Sequence, residues 1–114
     1  MLRAPALWST AAREYVYASM SDAYCAAERC QEITQDMKVR LQLASCFGAE
    51  ACAQAVDLVH EAAGTSAIRD EFGIERHFRD IHTLSQHANK SYMRYESVGK
   101  LLFGLPTDWF ALSL

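Results

Sequence analysis

The sequence predicts an all-α fold, an antiparallel up-and-down bundle of about four helices. Apolar residues recur at spacings of three and four along most of the chain, and no stretch alternates with the period of two that a half-buried strand requires. Proline is held to 2 and glycine to 5 of 114 residues, while alanine abounds, a balance that favours helix over strand. The apolar fraction of 51% is that of a globular chain. No repeat, low-complexity tract or linker interrupts the pattern, so residues 1–114 read as one helical domain.

The first helix is predicted over about 6–32. Pro5 suits its entry, because the first turn needs no backbone N–H from that position. Trp8, Ala12, Val16, Met20, Ala23, Ala27 and Cys30 make its apolar stripe, widened by Tyr15, Tyr17 and Tyr24. Met1–Arg13 carries Arg3 and Arg13 and no acid. Ala4–Trp8 is shorter than the apolar core of a signal peptide, and Glu14 and the helical pattern follow at once, so the segment is read as helix. The break falls at Ile33-Thr34-Gln35, where Thr34 or Asp36 can cap the next helix.

The second helix is predicted over about 36–63, with Leu41, Ala44, Gly48, Cys52, Ala55, Val59 and Ala62 as its stripe. These side chains are small, and the propensity cost of Gly48 points to close packing there. Phe47, Val56 and Leu58 place apolar surface on other faces, so this helix is expected to be covered on more than one side. Gly64 ends it. Thr65–Glu71 reads as a single turn and Phe72-Gly73 as a second break. A third helix follows over about 74–86, and a fourth over about 91–103 with Tyr95, Val98 and Leu102 on one stripe, stopped by Gly104 and Pro106. The segment Asp108–Leu114, with Trp109 and Phe110, is too apolar to stand in water and is expected to dock on a partner surface.

Charge and cysteine usage exclude several classes. A net charge of −3 with a pI near 5.7 offers no basic face for nucleic acid. No apolar run approaches the roughly 20 residues of a membrane span. Cys25, Cys30, Cys46 and Cys52 match neither a zinc knuckle nor a redox pair in their spacing, so they are expected as free buried thiols of a reducing, cytoplasmic compartment. His60, His77 and His82 lack matched ligand spacing. Asp57-x-x-His60 has no Glu-x-x-His counterpart, so no metal is expected.

The chemistry-bearing stretch runs from Glu61-Ala-Ala-Gly-Thr-Ser-Ala-Ile68 to Ile74-Glu-Arg-His-Phe-Arg-Asp-Ile81 and His87. A helix break at Gly64, with the hydroxyls of Thr65 and Ser66 beside it, can hold a phosphate, although the same residues serve equally as a C-cap followed by an N-cap. His87 can exchange a proton near neutrality, although a lone helical histidine is more often structural or exposed. Arg76 and Asp80, one turn apart, can pair, and with Arg79 they read as a charged cluster that braces the bundle.

On Ala55-Val-Asp-Leu-Val-His-Glu-Ala-Ala-Gly-Thr-Ser-Ala-Ile68, Glu75-Arg-His-Phe-Arg-Asp-Ile81 and Gly99-Lys-Leu-Leu-Phe-Gly-Leu105, the chain resembles the C-terminal helical domain of the acyl-CoA dehydrogenase superfamily. Within it the chain is more similar to the flavin-dependent monooxygenase (hydroxylase) branch. Common dehydrogenases set a base glutamate eight residues beyond the aspartate of the Arg-Asp pair, and here that position is Ala88, preceded by His87. They also read Gln-x-x-Gly-Gly where this chain has His60-Glu-Ala-Ala-Gly-Thr. The resemblance implies a reduced flavin, FMN or FAD, supplied by a separate flavin reductase. It implies that Gly64, Thr65 and Ser66 reach the flavin phosphate, commonly that of a neighbouring subunit. It implies His87 as base or hydrogen-bond partner to a phenol or flavin hydroperoxide. It further implies an N-terminal helical domain, a β-domain and a homotetramer, with the chain inactive by itself. A dehydrogenase domain with a relocated base such as Glu96, or a helical oligomerisation module without chemistry, are the competing expectations.

Overall fold

In the computed structural model, which describes residues 3–113, all regular structure is helical. Met1 and Leu2, and Leu114 at the end of the apolar tail, lie outside the described residues. The elements are α1 (Arg3–Glu28), α2 (Gln35–Ala63), two 3-10 turns (Gly64–Ile68 and Asp70–Phe72), α3 (Ile74–Ser85), α4 (Met93–Leu102) and a short α5 (Phe110–Ser113). The expected all-α bundle is therefore present, with a fifth short helix and a 3-10 corner added.

α2 is the central element, and α1, α3, α4 and α5 all pack on it. α1 runs antiparallel to it, with Asp22 Oδ2 2.9 Å from Arg40. The buried positions of α1 are Pro5, Ala12, Ser19 and Ala26, seven apart, together with Ala23. That is the seam of a two-helix coil. The predicted stripe fails in its second half, where Met20, Ala27 and Cys30 are exposed. Each four-residue step from Trp8 to Met20 turns the face by about 40°, so three such steps carry it off the seam.

Thr34 caps α2, its Oγ1 accepting from the Met37 N–H at 3.3 Å. The helix is covered on more than one side, with Val39, Gln42, Cys46 and Ala49 buried along one set of turns and Ala44, Ala51 and Ala55 along another. Gly48 does not mark enforced close approach. A Cβ built there meets Val16 Cγ2 at 3.5 Å, an ordinary contact.

α3 lies antiparallel on the second half of α2. Phe78 sits between the rings of His60 and His82, each centroid 4.5 Å away, and His82 Nε2 is 2.7 Å from Asp57 Oδ1. No α3 side chain is fully buried. On α4 the buried residues are Ser97 and Val98, with Leu101 packed inward, whereas Leu102, expected on the stripe, is exposed.

The tail overturns its expectation. It docks on its own bundle, because α1 and α3 leave the first turns of α2 open on the far side. Leu112, only 2% exposed, packs with Val39 and Val98. Trp109 Nε1 donates to Gln42 Oε1 at 3.0 Å, and Gln35 Nε2 donates to the Leu112 carbonyl at 2.9 Å. The cysteines also depart from expectation. None is in a disulfide, but only Cys46 is buried, Cys52 is half-buried, and Cys25 and Cys30 are exposed beyond the seam.

Candidate functional site

The corner after α2 is built by Gly64. Its φ of 56° and ψ of −135° form a pair that glycine alone adopts without strain, and its N–H closes the helix onto the Glu61 carbonyl. Thr65 and Ser66 do not form the expected N-cap. They continue into a 3-10 turn whose cap position, Ala63, has no side chain to serve, and α3 begins only after Gly73, which is left-handed at φ 63°. Gly64, Thr65 and Ser66 are exposed, and a Cβ at Gly64 would meet nothing within 4 Å.

His87 stands in the turn after α3, not on the helix. The Asn89 backbone N–H donates to His87 Nδ1 at 3.2 Å. Nδ1 is therefore the unprotonated nitrogen of the neutral ring, and Nε2 carries the hydrogen. The turn is held against the middle of α2: Gln42 Nε2 donates to the Asn89 carbonyl at 2.8 Å, and Lys90 Nζ donates to Ser45 Oγ.

The structure does not bring the corner and His87 together within one chain. The stretch of α2 between Cys46, beside the His87 turn, and Gly64 spans about 27 Å at 1.5 Å per residue. Neither group lines the domain's main cavities. The charged cluster pairs within α3 only: Arg76 with Asp80 at 3.7 Å and Arg79 with Glu75 at 3.5 Å, all exposed. It braces no second element, contrary to expectation, because each pair closes within α3, although Asp80 also lines the cleft beside Cys52 and Val56 of α2.

Two constellations were not legible from the sequence. Asp57 and His82 meet across α2 and α3. Tyr95 OH donates to Glu50 Oε2 at 3.0 Å on the wall of a cleft of about 420 Å3 that Gln86, Lys90 and Tyr92 also line. Burial, and then the hydrogen bond to Glu50, push the Tyr95 phenol far above its usual range. Each pairing joins residues 25 or more apart, so only the antiparallel register reveals it. Among the described residues, no three His, Cys, Asp or Glu converge on a cation position.

As a phosphate contact the corner supplies one wall. It is open, and its two hydroxyls are free of side-chain partners among the described residues. Arg69, which follows the same 3-10 turn, already lies 3.5 Å from Glu71. The corner therefore offers two hydroxyls and open backbone, and any further contact to an anion held there has to come from elsewhere.

Compared with known proteins, residues 6–92 match the family model described as acyl-CoA dehydrogenase, C-terminal domain. The match covers α1 to the turn before α4 and stops short of Gly99–Leu105. No characterised protein and no solved structure matches the chain significantly.

Proposed function

The chain belongs to the acyl-CoA dehydrogenase C-terminal domain family, and from that membership we propose that it is the flavin-contacting and oligomerisation domain of a flavin-dependent monooxygenase. The carrying observation is the pair His87-Ala88. Where a dehydrogenase of this superfamily would hold its base carboxylate stands a methyl group, and beside it an exposed imidazole. With Nδ1 accepting from Asn89, the neutral ring offers an Nε2–H donor. Such a donor suits the oxygen of a phenol as it loses its proton and becomes the electron-rich phenolate.

In this reading the flavin, FMN or FAD in its reduced form and delivered by a reductase, supplies the redox chemistry. Gly64, Thr65 and Ser66 hold the phosphate of a flavin seated largely in other domains. The corner and His87 of one chain then serve flavins of different protomers, since they stand at opposite ends of α3. The dehydrogenase reading has less support. Glu96, the nearest candidate base in sequence, is exposed and paired with Lys100 at 3.0 Å one turn along α4.

Two measurements test the proposal. Titration of the isolated chain with reduced or oxidised FMN or FAD is expected to give weak binding or none, and stoichiometric binding contradicts a shared site. In an enzyme assembled with the N-terminal and β-domains, His87→Asn is expected to abolish hydroxylation and leave flavin binding intact. Hydroxylation unaffected by that change removes His87 from the mechanism.

A further inference from the structure

α1 and α3 both lean on α2 but scarcely meet each other. The space between them is a groove along α2. Its widest part, about 610 Å3, is floored by Ala44, Gly48 and Cys52 and rimmed by Met20 and Leu84. It continues through a cleft of about 310 Å3 at Val56 and Ile81 into one of about 400 Å3 between Pro5 and Ile74. Shared lining residues, Cys52 and Ile81 on one side and Val56 and His77 on the other, make the three one channel. From Leu41 to Val59 it follows α2 for about 27 Å.

We propose that this groove seats an amphipathic α-helix of a partner, with carboxylates placed to meet Arg13 and Lys90. Its length suits about five helical turns, whereas a small ligand would fill only its wide end. The small floor residues let a helix axis come within the usual 8–10 Å of α2. The charge of the occupant follows from the wide end, since the one carboxylate lining the groove, Asp80 in its middle cleft, is already paired with Arg76 at 3.7 Å. Arg13 lies 5.5 Å from the Tyr17 ring and Lys90 donates to Ser45, and neither has a carboxylate partner among the described residues. The half-exposed Met20 and Tyr17 stand over the same stretch as apolar surface awaiting cover. This inference is independent of the flavin reading.

The test uses the full chain and a labelled synthetic amphipathic helix of about twenty residues, long enough for five turns. It carries a Leu/Ala stripe and glutamates flanking it, and its control has lysine at each glutamate. At low ionic strength the glutamate peptide is expected to bind. The double substitution Arg13→Glu, Lys90→Glu weakens it about tenfold and strengthens the lysine peptide about tenfold, as two reversed ion pairs require. Met20→Glu, on the exposed rim, weakens the glutamate peptide without touching the fold, should the double variant misfold. Absence of binding, or affinities that ignore the charge swap, overturn the proposal. So does a wild-type dimer that Met20→Glu dissolves in the ultracentrifuge, which assigns the groove to a second copy. An oligomer built through another face, such as the exposed Leu102 and Phe103 at the end of α4, survives Met20→Glu, so failure here is distinct from failure of the oligomer expected above.

Discussion

Cys30 shows how a single residue can sit against its own backbone preference. It follows α1 with φ 54°, the only non-glycine residue described with a positive φ. The Gln31 N–H reaches back to the Ala26 carbonyl at 2.9 Å and the Cys30 N–H to that of Ala27 at 3.0 Å. This is a Schellman end whose left-handed position ordinarily goes to glycine. Cys30→Gly is therefore expected to stabilise the fold by about 1 kcal/mol, read as a higher midpoint in urea. Ser19 is the converse case. It lies in the α1 seam at 2% exposure, and its Oγ has no hydrogen-bond partner. Burying an unsatisfied hydroxyl costs about 1–3 kcal/mol. Ser19→Ala removes it from a site already shaped for small side chains, so a raised melting temperature is expected, and a clear drop would show that the hydroxyl has a partner.

Among the elements, the short α5 and the tail that carries it depend on both packing and charge. Asp108 accepts from the buried Ser97 Oγ at 2.7 Å and from Lys100 Nζ at 2.9 Å. Its hydrogen bonds, first to Lys100 and then to Ser97, hold its carboxyl at about 2, below the usual carboxylate range. Lys100 is correspondingly raised, by Asp108 first and Glu96 second. A depressed carboxyl stabilises the docked tail above its unfolded pKa near 4 and stops doing so as the pH falls through about 2. In a Trp8→Phe background, Trp109 fluorescence is expected to change between about pH 4 and 2 as the indole leaves Gln42 and the Arg94 guanidinium 4.1 Å above it. Asp108→Asn should abolish that acid transition, and added salt should weaken it, since the ion pair is exposed.

Such long-range attachments are what the sequence could not disclose. The 3.6-residue period gives helices from local spacing, and Thr34, Gly64 and the Arg76–Asp80 pair were legible because each acts within one turn. Which residues on a helix are buried depends on how its neighbour winds. The seam of α1 therefore chose Ser19 and Ala26 over Met20 and Ala27, and α4 chose Leu101 over Leu102. The tail's apolar content correctly signalled docking, but composition carries no address, and Leu112 found Val39 and Val98 of its own chain. At the candidate site, residue types were readable, while the distance separating the Gly64 corner from His87 was not.

At the scale of the whole molecule, what remains uncovered after the tail has docked determines how the domain associates. Leu102, Phe103 and Leu105 are 71%, 85% and 54% exposed where α4 gives way to the tail, and Phe110 on α5 is 63% exposed. Sequence proximity and the return of the Leu105 N–H to the Lys100 carbonyl at 2.8 Å keep Leu102, Phe103 and Leu105 on one knob. An exposed apolar knob of this kind is covered in stable soluble assemblies. Burying the Phe103 side chain alone removes about 150–200 Å2 from water, worth several kcal/mol at about 25 cal/mol per Å2 before the cost of association. The chain is therefore expected to sediment as an oligomer at micromolar concentration. Phe103→Asp should shift it to monomer without loss of helicity, since that side chain contributes little to the fold. A wild-type chain that stays monomeric at tens of micromolar, or an oligomer indifferent to Phe103→Asp, would place the association surface elsewhere.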